Sequence, residues 1–251
     1  MDGDILRQMQ AIEAHHWWFI GRRLILASIL DELNLPTRAQ VLEAGCGTGG
    51  NLQMLAKFGD VSAFEPHPYC LECARGSSLA DVRPGRLPDQ IPFTSGSFDL
   101  VAAFDVLEHV ADDLGGLIAL RDMLKPGGYL IFTVPAFMLL WSEHDERNHH
   151  YRRYTKMSVT KLTKMVGFCE IQCQYFNTFL FPFIAATRLI KKILHLRHMH
   201  DDILPPSALN RIFLNIFAAE QCFMRRLDFP FGTSLVMTAR NPQSPADRAR
   251  N

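Results

Sequence analysis

Apolar residues along this chain follow two alternating rhythms. Short, largely apolar runs at 41–44, 61–64, 98–104 and 129–135, each interrupted by one polar residue (Glu43, Ser62, Asp99 and Thr133), predict strands buried on both faces. Between them, apolar positions at 52–58, 68–75 and 112–124 recur every three or four residues, the period of a helix with one buried stripe. Strand alternating with helix is the pattern of a parallel sheet covered on both faces. Further along, the pattern predicts a helix from 155 or 158 to 165 and strands at 168–176 and 232–240. The stretch 81–90 is thin as a strand. The expected fold class is α/β, a doubly wound, seven-stranded, Rossmann-like sheet. A leader over 5–33 has apolar residues at helical spacing, and residues 1–36 are expected to form an N-terminal helical lid. The core is assigned to 37–176 and 229–241, with a helical insertion over 177–228 before the last strand and a flexible tail over 242–251.

Composition narrows the class. With 251 residues, 48% hydrophobic and 21% charged, the chain can bury a real core, and global disorder is excluded. The net charge of zero hides an asymmetry. Residues 1–150 carry 11 lysines and arginines against 20 acids, whereas residues 151–251 carry 15 against 6. The basic half is the expected face for an anionic partner or surface. Six cysteines, at 46, 70, 73, 169, 173 and 222, read as buried reduced thiols rather than a metal site. The acidic start Met1-Asp2-Gly3-Asp4 lacks a secretory leader pattern, so the expectation is a cytoplasmic protein, peripheral at most to the inner face of a membrane.

The chemistry concentrates after the first strand, in Glu43-Ala44-Gly45-Cys46-Gly47-Thr48-Gly49-Gly50. Glycines at alternate positions let the backbone turn sharply and admit a ligand close to it. The helix that follows points unpaired N–H groups at that ligand. Gly45-x-Gly47-x-x-Gly50 also fits a dinucleotide fingerprint, with Glu65 at the distance of a ribose-gripping acid. Glu43 tilts the choice, because a carboxylate at the lip of the turn repels a pyrophosphate and suits a cofactor carrying an ammonium group. S-adenosylmethionine has an ammonium, a carboxylate and a sulfonium, and no phosphate.

The string Leu42-Glu43-Ala44-Gly45-Cys46-Gly47-Thr48-Gly49 closely resembles motif I of class I S-adenosylmethionine-dependent methyltransferases. Downstream, Pro92-Phe93, Ser97-Phe98-Asp99-Leu100-Val101, Leu107-Glu108-His109-Val110 and Lys125-Pro126-Gly127-Gly128 are similar to blocks in the group that includes quinone-biosynthesis O-methyltransferases. The resemblance covers about residues 40–135 in order and spacing. It implies S-adenosylmethionine as cofactor, with Gly45, Gly47 and Gly49 bracketing its methionine part, Glu43 its amino group, Glu65 its ribose and Asp105 beside them. Such enzymes often hold the adenine amino group with an acid near residues 85–87. Gly85-Arg86-Leu87 stands there instead and leaves that contact to the backbone. The leader Glu13-Ala-His-His-Trp-Trp-Phe-Ile-Gly-Arg-Arg23 also resembles that of many bacterial methyltransferases and is read as a lid over the cofactor.

The remaining residues are expected to choose the acceptor. The stretch 141–154 holds three histidines, at 144, 149 and 150, among acids and arginines. A metal site from His144, Asp145, His149 and His150 is disfavoured, since adjacent pairs chelate poorly. Asp145, Arg152, Arg153 and Tyr154 are the candidate acceptor-binding residues, with the arginines either binding an acidic acceptor or pairing with Asp145 and Glu146. His109 and His150 are the candidate bases, needed only for a hydroxyl or protonated amine. In the insertion, helical stretches are expected at 179–196 and 207–227. The first is too interrupted to span a bilayer. It places Arg188, Lys191, Lys192 and Arg197 among leucines and isoleucines, an amphipathic pattern that lies on anionic membranes. Three functions follow as alternatives: an enzyme for an amphiphilic, lipid-linked or quinone-like acceptor, one for a soluble metabolite or sugar, and a non-catalytic cofactor-binding module. Nucleic acid is not an expected partner, and oligomeric state is not legible.

Overall fold

The computed structural model describes residues 3–194 and 204–243; the expected contribution of Arg197 and the tail beyond residue 243 lie outside them. In chain order come α1 (Gly3–Ile12), α2 (Trp17–Leu30), β1 (Ala39–Ala44), α3 (Leu52–Leu55), β2 (Gly59–Glu65), α4 (Pro68–Gly76) and β3 (Asp81–Pro84). Then follow β4 (Phe98–Phe104), α5 (Asp113–Met123), β5 (Leu124–Pro135), α6 (Glu143–Arg147), α7 (Lys156–Met165), β6 (Cys169–Phe176), α8 (Phe181–Ile193), α9 (Ser207–Met224) and β7 (Ser234–Arg240). The strands form a seven-stranded sheet in the order β3-β2-β1-β4-β5-β7-β6. β7 is antiparallel to both of its neighbours, and the other paired strands are parallel. The strand order reverses between β1 and β4, and the loops at the carboxyl ends there form the crevice where such sheets bind ligands.

The largely apolar runs become central strands because both of their faces are covered. Leu42, Leu100, Leu130 and Phe132 are fully buried. Three elements differ from the sequence expectation, each for a local reason. The leader breaks into two helices because His16 is extended and its ring Nδ1 accepts from Trp18 N–H, starting α2 afresh. The thin stretch at 81–90 pairs over Asp81–Pro84 at the sheet edge, where only β2 needs satisfying. Lys125-Pro-Gly-Gly128 does not merely stop α5: it opens β5, with Asn241 donating to the carbonyls of Leu124 and Lys125 and accepting from Gly127. All six cysteines are free thiols; Cys46, Cys70 and Cys173 are buried, Cys73 and Cys169 half-buried, and Cys222 is exposed.

Candidate functional site

At the end of β1 the chain enters the left-handed region three times, with φ of +66° at Gly45, +56° at Gly47 and +92° at Gly49. A Cβ at Gly45 would press on Val106 at 2.9 Å, whereas one at Gly47 would meet nothing within 4 Å. The turn is therefore wedged on one side and open at Gly47. Glu65, at the end of β2, braces it by accepting from the N–H groups of Gly47 (3.0 Å) and His67 (2.9 Å). Burial raises the Glu65 carboxyl and those two N–H groups oppose the rise.

Glu43 is 1% exposed and accepts from Asn51 Nδ2 at 2.8 Å, while its other oxygen has no partner. Burial pushes its carboxyl up to about 8, against the pull of Asn51 and Arg22. Without a cation beside it, Glu43 is thus largely a neutral acid at neutral pH. Asp105, directly after β4, has φ of +55°. It is hydrogen-bonded by Thr133 Oγ1 and ion-paired with Arg22. Arg22, itself buried, lies over the Trp18 ring at 4.5 Å, and its Nε has no partner. Sequence reasoning passed over Arg22. The signal was present in its spacing of four from Trp18, which places both on one helix face.

The other half of the site is the loop after β5. Asp145 is fully buried and accepts from Arg153 Nε and Nη2, both at 2.8 Å, from His150 Nδ1 at 2.9 Å and from Ser142 N–H at 2.9 Å. Burial favours its protonation, but the His150, Arg153 and Ser142 donors outweigh it and hold the carboxyl well below the usual range. Arg153 spends its fork on Asp145 and Ala136 O, so these two acceptor-binding candidates face each other. Glu146, the other acid expected to pair with an arginine, is exposed. Arg152 and Tyr154 converge on Asp113, at 2.8 Å and 2.9 Å. Arg152 keeps a partly exposed guanidinium, while Tyr154 is buried.

The two candidate bases meet. The His109 and His150 rings are perpendicular, with centroids 4.6 Å apart. Burial, then His150, lowers His109 to about 4, so it is neutral at physiological pH. Glu108 is buried, and desolvation with Asp105 nearby pushes its carboxyl well up. One ligand atom from each of Glu108, His109 and His150 lies within 4.8 Å of the other two, the spacing of groups that share a proton or a small cation. The sequence expectation had grouped His150 with His144, Asp145 and His149. The backbone turns His149 outward at φ of +56° and brings His109 in instead.

A family model described as a methyltransferase domain matches residues 17–173. The ubiquinone biosynthesis O-methyltransferase of Xanthomonas campestris pv. campestris is 34% identical over an alignment 154 residues long that covers 54% of this chain and 64% of that protein. Its namesake from Xanthomonas axonopodis pv. citri is 34% identical over an alignment 139 residues long that covers 48% of this chain and 58% of the relative. The chain thus matches under two thirds of these relatives' length. Among solved structures, a complex of the Haloferax volcanii Trm112 methyltransferase activator with a methyltransferase aligns at a TM-score of 0.62 and 18% identity, covering 94% of both chains. Haemonchus contortus phosphoethanolamine N-methyltransferase 2, bound to S-adenosylmethionine, aligns at 0.59 and 19% identity over 87% of this chain and 52% of that one. The glycine turn fits such a cofactor: the unpartnered Glu43 oxygen can accept from an ammonium, and the unpartnered Arg22 Nε–H can donate to a carboxylate. The chain belongs to the methyltransferase domain family.

Proposed function

We propose that the chain methylates a hydroxyl group of an amphiphilic, lipid-linked or quinone-like acceptor taken from a membrane surface. One observation carries this reading: the His150 imidazole, held by buried Asp145, lies in a loop whose neighbours expose apolar side chains beside α8. Met138 and Leu139, in the turn after β5, and Tyr151, beside His150, are exposed. Met138 Sδ accepts from Arg153 N–H, and Arg188 of α8 donates to the carbonyl of Leu140. The apolar surface therefore runs from the histidine loop onto α8.

That helix buries no residue. Phe183, Ile190 and Leu194 share one side of it, with Leu189 and Ile193 next to them, all exposed. Its charges, Arg188, Lys191 and Lys192, are all positive, which suits an anionic bilayer surface. No helix among the described residues is long and apolar enough to cross a membrane, so contact of this kind is peripheral. Replacing Lys191 and Lys192 by Glu is expected to remove co-sedimentation with vesicles containing phosphatidylserine. If the parent chain does not sediment either, the membrane reading is lost.

The cofactor supplies a methyl group already activated on a sulfonium. Everything else falls to the chain: holding the acceptor oxygen in line, excluding water and receiving a proton. Gly45, Gly47 and Gly49 form the floor, Glu43 and Arg22 receive the ends of the methionine part, and Glu65 receives the ribose hydroxyls. With Nδ1–H donated to Asp145, His150 presents Nε2 to take the acceptor proton. Arg152 is placed to attract an anionic headgroup at the rim. Glu65→Ala is expected to weaken S-adenosylmethionine binding at least tenfold in calorimetry, and unchanged affinity would remove Glu65 from the site. For the acceptor, labelled methyl from S-adenosylmethionine should enter the organic phase of a cell extract. Label confined to the aqueous phase would favour a soluble metabolite or sugar, and no transfer at all would favour a binding module.

A further inference from the structure

The insertion reaches the cofactor turn through the leader. Between α1 and α2 the chain breaks at residues 13–16, and a single side chain of α9 spans the break. Asn210 Oδ1 accepts from Trp17 N–H at 2.9 Å, and Asn210 Nδ2 donates to His15 O at 2.8 Å. α2 and α9 are pressed together around it. The Phe217 ring occupies the space a Cβ on Gly21 would need, and Trp17 meets Phe213 and Phe217 edge-on, each at 5.6 Å. Glu13 is the first residue of the break. Its carboxylate is hydrogen-bonded by the Thr48 side chain and lies on Gly50, where an added Cβ would be 2.4 Å from Glu13 Oε2. Its carbonyl accepts from Arg23 Nη2 at 2.9 Å. One amide thus fixes the short segment that lays a carboxylate across the Thr48–Gly50 side of the glycine turn.

We infer that Asn210 is a positioning residue for cofactor binding, acting through Glu13: it sets the α1–α2 break so that Glu13 closes over the glycine turn. The inference rests on S-adenosylmethionine occupying that turn and is independent of the acceptor. A hydrogen-bonded break that served only to join helices would leave Glu13 and Asn210 uncoupled in cofactor affinity. A closing segment makes them one device, and residues in one device fail to add.

The test is a double-mutant cycle on the full chain, read as the dissociation constant of S-adenosylmethionine by calorimetry. Glu13→Ala and Asn210→Ala are each expected to weaken binding by about tenfold, and the double variant no more than Glu13→Ala alone. Trp17 and Trp18 follow the break directly, so the change in tryptophan emission on adding S-adenosylmethionine should shrink in Asn210→Ala. Unchanged affinity in Asn210→Ala, or a double variant weakened by about a hundredfold, would overturn the proposal. Should Asn210→Ala fail to fold, Asn210→Asp keeps the acceptor for Trp17 N–H, replaces the donor to His15 O with an acceptor and adds a negative charge. In that variant a threefold or larger loss supports the inference, and wild-type affinity rejects it. Loss of Glu65→Ala sensitivity would instead point to a misplaced cofactor site, a separate failure.

Discussion

Asp145→Ala lowers the free energy of unfolding by about 3–5 kcal/mol, the usual cost of leaving a buried charge without its partner. The substitution strands the Arg153 guanidinium, which is 3% exposed, and removes the acceptor of His150 Nδ1 and of Ser142 N–H. For a chain of this length the same loss appears as a fall in melting temperature of roughly 6–20 °C. Urea denaturation with an unchanged slope is the cleaner measurement, since it separates lost stability from a changed unfolded state. A loss under about 1 kcal/mol would mean that water reaches the pair and that it behaves as a surface salt bridge. The pH dependence has a definite sign. Asp145 sits well below the ordinary carboxylate range in the fold, so its contribution is fully present above the unfolded value of about 3.9 and fades as the pH falls below it. Glu43 works in the opposite direction: raised to about 8, it favours the fold at low pH and withdraws that support as the pH rises toward its folded value.

Those two acids also mark how far sequence reasoning reaches. The sheet was legible because each central strand is a short, largely apolar run and each connection carries a helical stripe, two patterns that do not imitate one another. The glycine turn was legible because side chains larger than hydrogen conflict with its three positive φ values. Burial is a different matter. Nothing local to Glu43 says that Asn51 will fold back on it, or that Arg22, twenty-one positions earlier, will end on Asp105. The pairing of Arg153 with Asp145 was one of two readings, and the choice between them depended on α6, a five-residue helix too short to leave a periodic trace. Within it Ser142 and Asp145 close the first turn, which aims the Asp145 carboxylate inward at Arg153 and His150. Contacts between segments far apart in sequence, such as Asn210 with the leader, leave no mark that spacing can reveal.

His150→Ala is expected to lower kcat by about 10²–10⁴-fold, the range of a lost general base, while S-adenosylmethionine affinity stays within about threefold. His150 outranks its neighbour on chemical grounds. Burial brings His109 down to about 4, and a group that weakly basic cannot retain an acceptor's proton at neutral pH. His150 has an ionised carboxylate on Nδ1, which fixes the tautomer with Nε2 open and steadies the imidazolium once the proton arrives. Asp145 is itself gripped by Arg153, an arrangement that would hold the ring oriented for a role as base. His109→Ala should therefore cost less, since His109 is not the proposed destination of the proton. The measurement is the initial rate of organic-phase labelling at saturating S-adenosylmethionine, taken at a temperature where both variants remain folded. If His150→Ala keeps kcat within threefold, proton removal is not part of the rate-limiting barrier. The chain would then work by alignment alone, on an acceptor already ionised or intrinsically nucleophilic, and the hydroxyl reading would give way to an amine or a carbanion.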